Sequence, residues 1–480
     1  MFDKLHEECG IFGIYNNDNI NTASSVYYGL FALQHRGQES CGIAINDDGI
    51  ISCVKDVGLV NDVFDKERLE TMGNGKMAIG HVRYGTTGVS QRLNAQPIVV
   101  NHIKGCMALA HNGNLTNAYE IRQQLEMNGS IFHTTSDTEV IAYEITKMRL
   151  TSKSIEEAVC KAMDSIKGAY SLLVMSPSKL IAARDPNGFR PLCLGKIDNS
   201  YMFASESCAF AASGGEFIRD LLPGEVVVID KDGIRSITDN CKKAKPSLCV
   251  FEFIYFARPD SVIDGASVHQ ARLNAGAFLA LEHPVQADVV VGVPDSGLDA
   301  AIGYSHQSGI PYGIGLIKNK YIGRTFIEPG QAMREDKVRI KLNVIEKTVK
   351  DKRVVLIDDS IVRGTTCARI VKLLREAGAK EVHMRVSAPP FKNPCYFGTD
   401  IDSRENLIAN QHTVKEIAEI IGVDTLGYLS VDSAKKIAKT TTCGFCTACF
   451  DGDYPVSVPD KPLKSKFMFK IGESTDEKLQ

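Results

Sequence analysis

Three groups of residues in this 480-residue chain have types and spacings that suit chemistry. The apolar run Val354-Val355-Leu356-Ile357 leads straight into Asp358-Asp359, then Ser360-Ile361-Val362-Arg363-Gly364-Thr365-Thr366. Two carboxylates at the carboxyl end of a buried strand should face a crevice, because open α/β sheets bind ligands there. Gly364 permits a tight turn, and the amides of Thr365, Thr366 and the helix start can cradle a phosphate. The carboxylates would then hold sugar hydroxyls, directly or through Mg²⁺, which prefers oxygen ligands. Cys9 heads a second group, at the start of the strand-like Cys9-Gly10-Ile11-Phe12-Gly13-Ile14. A lone cysteine is ordinarily a packed thiol, and it becomes a nucleophile only beside a base. The third group is Cys443-Gly444-Phe445-Cys446-Thr447-Ala448-Cys449, a C-x2-C-x2-C run whose thiolates suit zinc or an iron–sulfur cluster.

The elements that must position these groups change character along the chain. From Cys9 to about Ile237, short β-branched and aromatic runs alternate with Gly and Asn/Asp turns. Asp48-Gly49 reads as a hairpin turn with Ile50–Val54 as its returning arm. Helices are expected over Ala23–Gln34 and Thr138–Met148, which makes this half an α+β layered domain. A basic, Pro-containing linker, Lys242–Pro246, separates it from a half with strand–helix–strand periodicity. Segments 287–294, 353–360 and 381–388 are apolar in the way of parallel strands covered on both faces. A helix with Ile370, Leu373, Leu374 and Ala377 on one face, closed by Gly378, joins the last two. Thr413 and Glu416 form a capping-box pair ahead of another helix. Beyond Asp453 the chain turns polar.

Composition excludes several classes. Charged residues make up 24% and the net charge is -3, so no field favours nucleic acid or an anionic membrane. Apolar runs such as Phe253–Ala257 are too short to span a bilayer, and the first eight residues lack a secretory core. Fourteen cysteines without such a signal point to a reducing compartment, so a cytoplasmic enzyme is expected.

The segment Val354–Thr366 resembles the type I phosphoribosyltransferase signature for 5-phosphoribosyl 1-pyrophosphate (PRPP). The resemblance implies PRPP binding by Asp358, Asp359, Arg363, Gly364, Thr365 and Thr366. Ser296, in Val293-Pro294-Asp295-Ser296-Gly297, would join Asp358 and Asp359 at Mg²⁺. The basic span Lys318–Asn343 would close over the polyphosphate. In the first half, His35–Ser40, Gly80–Gly88, His111–Asn114 and Thr135–Glu139 are polar clusters at strand ends. Together with Cys9 they resemble class II glutamine amidotransferases, which are N-terminal-nucleophile hydrolases. In that family the nucleophile is residue one, so residues 1–8 would be a propeptide. Its removal frees an α-amino group, pKa near ~7.7–8.0, to serve as the base for the thiol. By the same resemblance Cys9 attacks the glutamine amide, Arg83 clamps the α-carboxylate and Asp137 takes the α-ammonium. The Asn112 side chain and the Gly113 N–H form an oxyanion hole, and Thr86 and His111 shape the pocket.

Both resemblances meet in the amidophosphoribosyltransferases, some of which carry a propeptide and a 4Fe–4S cluster. The cluster ligands implied here are Cys249, Cys395, Cys446 and Cys449, with Cys443 able to replace one. The expected layout is a propeptide at 1–8, an αββα glutaminase domain at 9–241, an α/β phosphoribosyltransferase domain at 242–460 and a polar tail at 461–480. The family further implies a homotetramer under purine nucleotide feedback control, which takes PRPP and glutamine into the first committed step of de novo purine synthesis. Two rivals share parts of the pattern. Another class II amidotransferase would have no reason to carry the 358–366 loop, and a PRPP-sensing regulator would need no Cys9 pocket.

Overall fold

A computed structural model describes residues 9–18, 20–84, 92–319, 342–401, 403–440 and 444–459. Residues 1–8, Thr86, Cys443, most of the basic 318–343 span and the 461–480 tail lie outside the described residues.

The first half folds as two antiparallel sheets face to face. One sheet has the spatial order Glu216–Asp220, Cys193–Ile197, Ser200–Ala204, Gly10–Tyr15, Met77–Arg83, Ser40–Asp47, Ile50–Val57. The other runs Gly233–Ile237, Val226–Asp230, Leu180–Arg184, Gly168–Met175, Gly105–Leu115, Ile98–His102. Side chains alternate faces along a strand, so Ile11, Tyr15 and Ile79 meet Ala108, Ala110 and Leu173 between the sheets. Phe12 and Ile14 point the other way, onto Val26 and Leu30 of the helix Thr22–Ala32. On the far side Leu109, Leu172 and Val174 pack under the helices Asp137–Thr151 and Ile155–Ser165. The result is the four-layer αββα arrangement. Asp48 and Gly49 both have positive φ, 47° and 91°, as the tight hairpin requires.

The helix content exceeds the sequence expectation. Ala118–Met127 and Ile155–Ser165 are helical besides the two anticipated helices, which run Thr22–Ala32 and Asp137–Thr151. The second of these buries Ile155, Ala158, Val159, Ala162 and Met163, a plain helical stripe.

In the second half four parallel strands lie in the order Val289–Gly292, Arg353–Asp358, Glu381–Val386, Thr425–Tyr428. Val355 and Ile357 face the helices Val268–Glu282 and Gly297–Ser308, whereas Val354 and Leu356 face Thr365–Glu376 and Val414–Ile421. Covering on both faces explains why the strand is apolar throughout. The Thr413–Glu416 capping box forms as expected. Past the basic linker, Leu248–Cys249 pairs in parallel with Phe445–Cys446, and Glu252–Phe256 makes a buried helical turn. Among the described residues no helix is long and apolar enough to cross a membrane.

Candidate functional site

Cys9 immediately precedes the strand Gly10–Tyr15, and the pairing Gly10↔Val82 brings it to the same sheet end as Arg83. Its thiol donates to the Tyr84 carbonyl at 3.7 Å. Arg83 is buried and lies 3.9 Å from Glu39. Asn112 and Gly113 belong to the opposing sheet, in the strand Gly105–Leu115. Ser205 links the two sheets, accepting from the Ile11 N–H at 3.0 Å and from the Asn112 amide at 3.4 Å. Gly113 has φ 140°, and a Cβ there would fall 2.2 Å from the Ala169 carbonyl oxygen, so only glycine fits.

Asp137 opens the helix Asp137–Thr151, accepts from the Leu115 N–H at 2.9 Å and sits 3.6 Å from His111 Nδ1. Burial works to raise its pKa. The charge on His111 and the hydrogen bonds from His111, Leu115 and Thr138 outweigh burial and hold the carboxyl below its ordinary range. His111 accepts at its carbonyl from the ring of His81, 3.0 Å away. Burial drives the His81 pKa down to about 3, so that ring is a neutral strut between the sheets. Cys9 and Arg83 on one sheet thus lie opposite Asn112 on the other, whereas the His111 ring points with Leu109 to the helix side, against Asp137 and Thr138, and Thr86 lies outside the described residues.

Several residues in this region had no assigned role in the sequence reading. Arg36 is buried, donates through Nε to the Cys9 carbonyl at 3.1 Å and is paired with Glu206 and Glu252. The His35-Arg36-Gly37 string was its one visible signal. Nothing near Ser205 or Glu206 marks them in the sequence. The buried Glu206 also receives His35, the Arg258 N–H and Ser261. Burial opposes its charge, but His35 and Arg36 hold its pKa far below the usual carboxylate range.

The second site lies at the carboxyl edge of the parallel sheet. Asp358 ends the central strand, and its carboxylate accepts from the Asp359 N–H at 2.9 Å. The Asp359 carboxylate accepts from the hydroxyls of Ser296 and Ser360. Ser296 precedes the helix Gly297–Ser308 at the end of the neighbouring strand, so three oxygen-bearing side chains converge from two strand ends. Gly364 turns the chain with φ 84° into the helix Thr365–Glu376, whose first residues, Thr365 exposed and Thr366 half-buried, flank Arg363. A Cβ at Gly364 would press on Ile408 at 3.0 Å and Ile421 at 3.3 Å. At the root of the basic span, Lys318 pairs with Asp295 and the ribbon Leu316–Lys318 with Leu342–Val344. The other basic residues of that span lie outside the described residues.

Cys249 and Cys395, distant in sequence from the Cys446/Cys449 pair, come close to it. Cys249 and Cys446 are register partners in the short parallel pair. The Cys449 carbonyl accepts from the N–H groups of Lys392 and Asn393, both at 3.0 Å, which draws the Cys395 loop alongside. Burial, then the proximity of Cys395, Cys249 and Cys446, pushes the Cys449 thiol well above its ordinary pKa. Burial likewise raises Cys446 to about 12. None of the four is in a disulfide. Among the described residues no three His, Cys, Asp or Glu side chains are gathered for a single metal ion. Cys443 lies outside the described residues.

Comparison with known proteins agrees with this division. A glutamine amidotransferase domain model matches residues 81–212, and a phosphoribosyl transferase domain model matches residues 269–423. The amidophosphoribosyltransferase of Archaeoglobus fulgidus is 51% identical over 453 residues, covering 94% of this chain and 98% of that protein. That of Bacillus subtilis is 48% identical over 459 residues, covering 95% of each. The solved B. subtilis glutamine PRPP amidotransferase complexed with ADP and GMP superposes with a TM-score of 0.87 at 47% identity, over 95% of this chain and 99% of that one. A two-sheet glutaminase fold, a carboxylate-tipped parallel sheet and about 50% identity to these enzymes over nearly the full length together establish that the chain belongs to the amidophosphoribosyltransferase family.

Proposed function

We propose that this chain converts PRPP, glutamine and water to 5-phosphoribosylamine, glutamate and pyrophosphate, the first committed step of de novo purine synthesis. One observation carries the reading: a single chain, similar over nearly its whole length to amidophosphoribosyltransferases, holds a cysteine-headed strand in one half and the Asp358–Thr366 bend in the other. Neither rival accounts for both halves.

In this reading the Cys9 thiolate attacks the glutamine side-chain amide, its proton passing to the α-amino group exposed by loss of residues 1–8. Arg83 clamps the glutamine α-carboxylate in the two-pronged way a guanidinium allows, and Asp137, held ionised as described, receives the α-ammonium. The Asn112 side chain and the Gly113 N–H stabilise the tetrahedral oxyanion, and Thr86 and His111 complete the pocket. Ammonia leaves, and water then releases glutamate from the thioester. Because ammonium is no nucleophile, ammonia is passed through a covered apolar channel to C1 of PRPP.

There Asp358 and Asp359 hold the ribose hydroxyls, and Gly364, Thr365 and Thr366 present amides and hydroxyls to the 5-phosphate, flanked by Arg363. Ser296, Asp358 and Asp359 form an oxygen donor set that suits Mg²⁺, which when bound neutralises charge on the departing pyrophosphate. Cys249, Cys395, Cys446 and Cys449 would hold a 4Fe–4S cluster. Their proximity, with Cys446 buried and the other three partly so, suits a group whose positive charge would stabilise thiolates, and thiolates spread around a cube need not meet at the point a single ion demands. The cluster is structural here, joining the linker, the 392–395 loop and the C-terminal segment. The assembly is a cytoplasmic homotetramer inhibited by purine nucleotides, in keeping with the ADP and GMP bound to the B. subtilis relative.

The test is glutamine turnover coupled to PRPP-dependent pyrophosphate release, with an intact mass on the active protein. Glutamate and pyrophosphate should form together in a chain beginning at Cys9. Active enzyme that retains residues 1–8 would overturn the propeptide assignment, and glutamine turnover without pyrophosphate would overturn the reaction.

A further inference from the structure

We infer that Glu252, on the buried turn that follows the linker, is a positioning residue for the glutamine half-reaction, orienting Cys9 through Arg36. The inference rests on the reading of Cys9 as the nucleophile.

The Cys9 carbonyl is the handle on the backbone of the residue that must present both a thiol and an amine. It accepts from Arg36 Nε at 3.1 Å. Arg36 has its remaining nitrogens directed elsewhere: Nη1 donates to Glu206 at 2.6 Å and to Glu252 at 2.9 Å, and Nη2 to Glu252 at 2.7 Å. Both oxygens of Glu252 thus grip the fork of one guanidinium, and both residues are inaccessible to water. A fork held at two points has a fixed plane, and that plane sets the direction in which Nε meets Cys9.

Glu252 is anchored in turn. It accepts from Arg190 at 3.3 Å, and Arg190 donates to the Phe397 carbonyl at 3.1 and 2.7 Å and to the Thr399 hydroxyl at 3.2 Å. The same 395–399 loop supports the other side of the glutamine pocket. Asn114 donates to the Tyr396 carbonyl at 3.0 Å, and a Cβ on Gly398 would fall 3.3 Å from Gly113 Cα. Residues of the second half therefore hold the nucleophile through Glu252 and back the oxyanion segment through Tyr396 and Gly398.

A purely stabilising role explains this poorly. Buried ion pairs contribute little net stability compared with well-packed apolar side chains of similar volume. What a charged two-point contact supplies is direction.

The experiment compares Glu252→Asp, Glu252→Gln and Cys9→Ala in the full enzyme, supplying either glutamine or high ammonia. Glu252→Asp keeps the charge but shortens the reach, so Arg36 is no longer held at both oxygens. Its glutamine-supported kcat should fall about ten- to hundred-fold, as for a misplacement near 1 Å, with glutamine KM and ammonia-supported rate within about twofold of wild type. Iodoacetamide labelling of Cys9, followed by peptide mass, should slow by a similar factor. Glu252→Gln, which also removes the charge, should lose at least as much. Parallel loss of both activities in Glu252→Asp would make the residue structural and overturn the inference, as would an unchanged glutamine kcat. If Cys9→Ala still uses glutamine, it is the assignment of the nucleophile that fails.

Discussion

Gly113→Ala separates backbone geometry from folding in the glutamine site. At φ 140° an L side chain is strained, at roughly 1–2 kcal/mol per residue in left-handed backbone. The larger effect is displacement. The added Cβ would lie 2.2 Å from the Ala169 oxygen, 2.6 Å from its carbonyl carbon and 3.1 Å from His111 Nε2. Atoms at these distances must separate by about 1 Å, since carbon–oxygen contacts below ordinary van der Waals range are repulsive. Retreat is blocked on the other side by Gly398, packed against Gly113 Cα. The 113 amide therefore moves off the position proposed for the oxyanion. Loss of one such donor lowers kcat about 10²–10³-fold, or ~2.7–4 kcal/mol of transition-state stabilisation. The assay is glutaminase kcat alongside ammonia-supported PRPP consumption, with a thermal melt. Gly129→Ala is the comparator: it also has positive φ, 87°, but no atom within 4 Å of the added carbon. It should lose only stability. Retention of glutamine kcat in Gly113→Ala, or equal damage from Gly129→Ala, would refute the displacement argument.

Three further outcomes follow from other parts of the molecule. Asp358→Asn should abolish both glutamine- and ammonia-supported synthesis while leaving the circular dichroism spectrum unchanged; surviving ammonia-supported synthesis would contradict a sugar-binding carboxylate. His81 titrates near 3 when folded, against about 6.5 when unfolded, so the unfolded chain binds the extra proton between these values. Stability should fall by about 1.4 kcal/mol per pH unit as pH drops through that window, and His81→Gln should flatten the decline in Tm between pH 7 and 5, parallel curves refuting it. Anaerobically purified protein should contain iron and acid-labile sulfide, and Cys446→Ser should lose both with a lowered Tm; a colourless preparation with zinc and no iron would remove the cluster.

How far the sequence could be read depended on whether a feature is continuous along the chain. The Val354–Thr366 segment contains its own strand, carboxylates, turn glycine and helix start, so local rules suffice to place each part. The hairpin at Asp48-Gly49 and the capping box at Thr413 were legible for the same reason. The stripe of Ile155, Ala158, Val159, Ala162 and Met163 is equally local, a helical pattern beyond the two helices expected in that half. The glutamine pocket is different. Period-two alternation indicates that Ile11 and Phe12 face opposite ways, yet nothing local says which strand each face will meet. Ser205 reaches Ile11 across 194 positions, Arg36 reaches Glu252 across 216, and Arg190 reaches Phe397 across 207. The Cys446–Cys449 spacing suggests a metal site in the sequence, but Cys249 comes beside Cys446 only because Leu248–Cys249 finds Phe445–Cys446 as a strand partner. In the glutamine pocket the hidden partners are polar groups in a water-free interior, where each is tolerated only when matched. An arginine or glutamate embedded in an apolar stretch, as Glu252 is before Phe253-Ile254-Tyr255-Phe256, therefore signals a distant counter-charge even when the sequence cannot say where it lies.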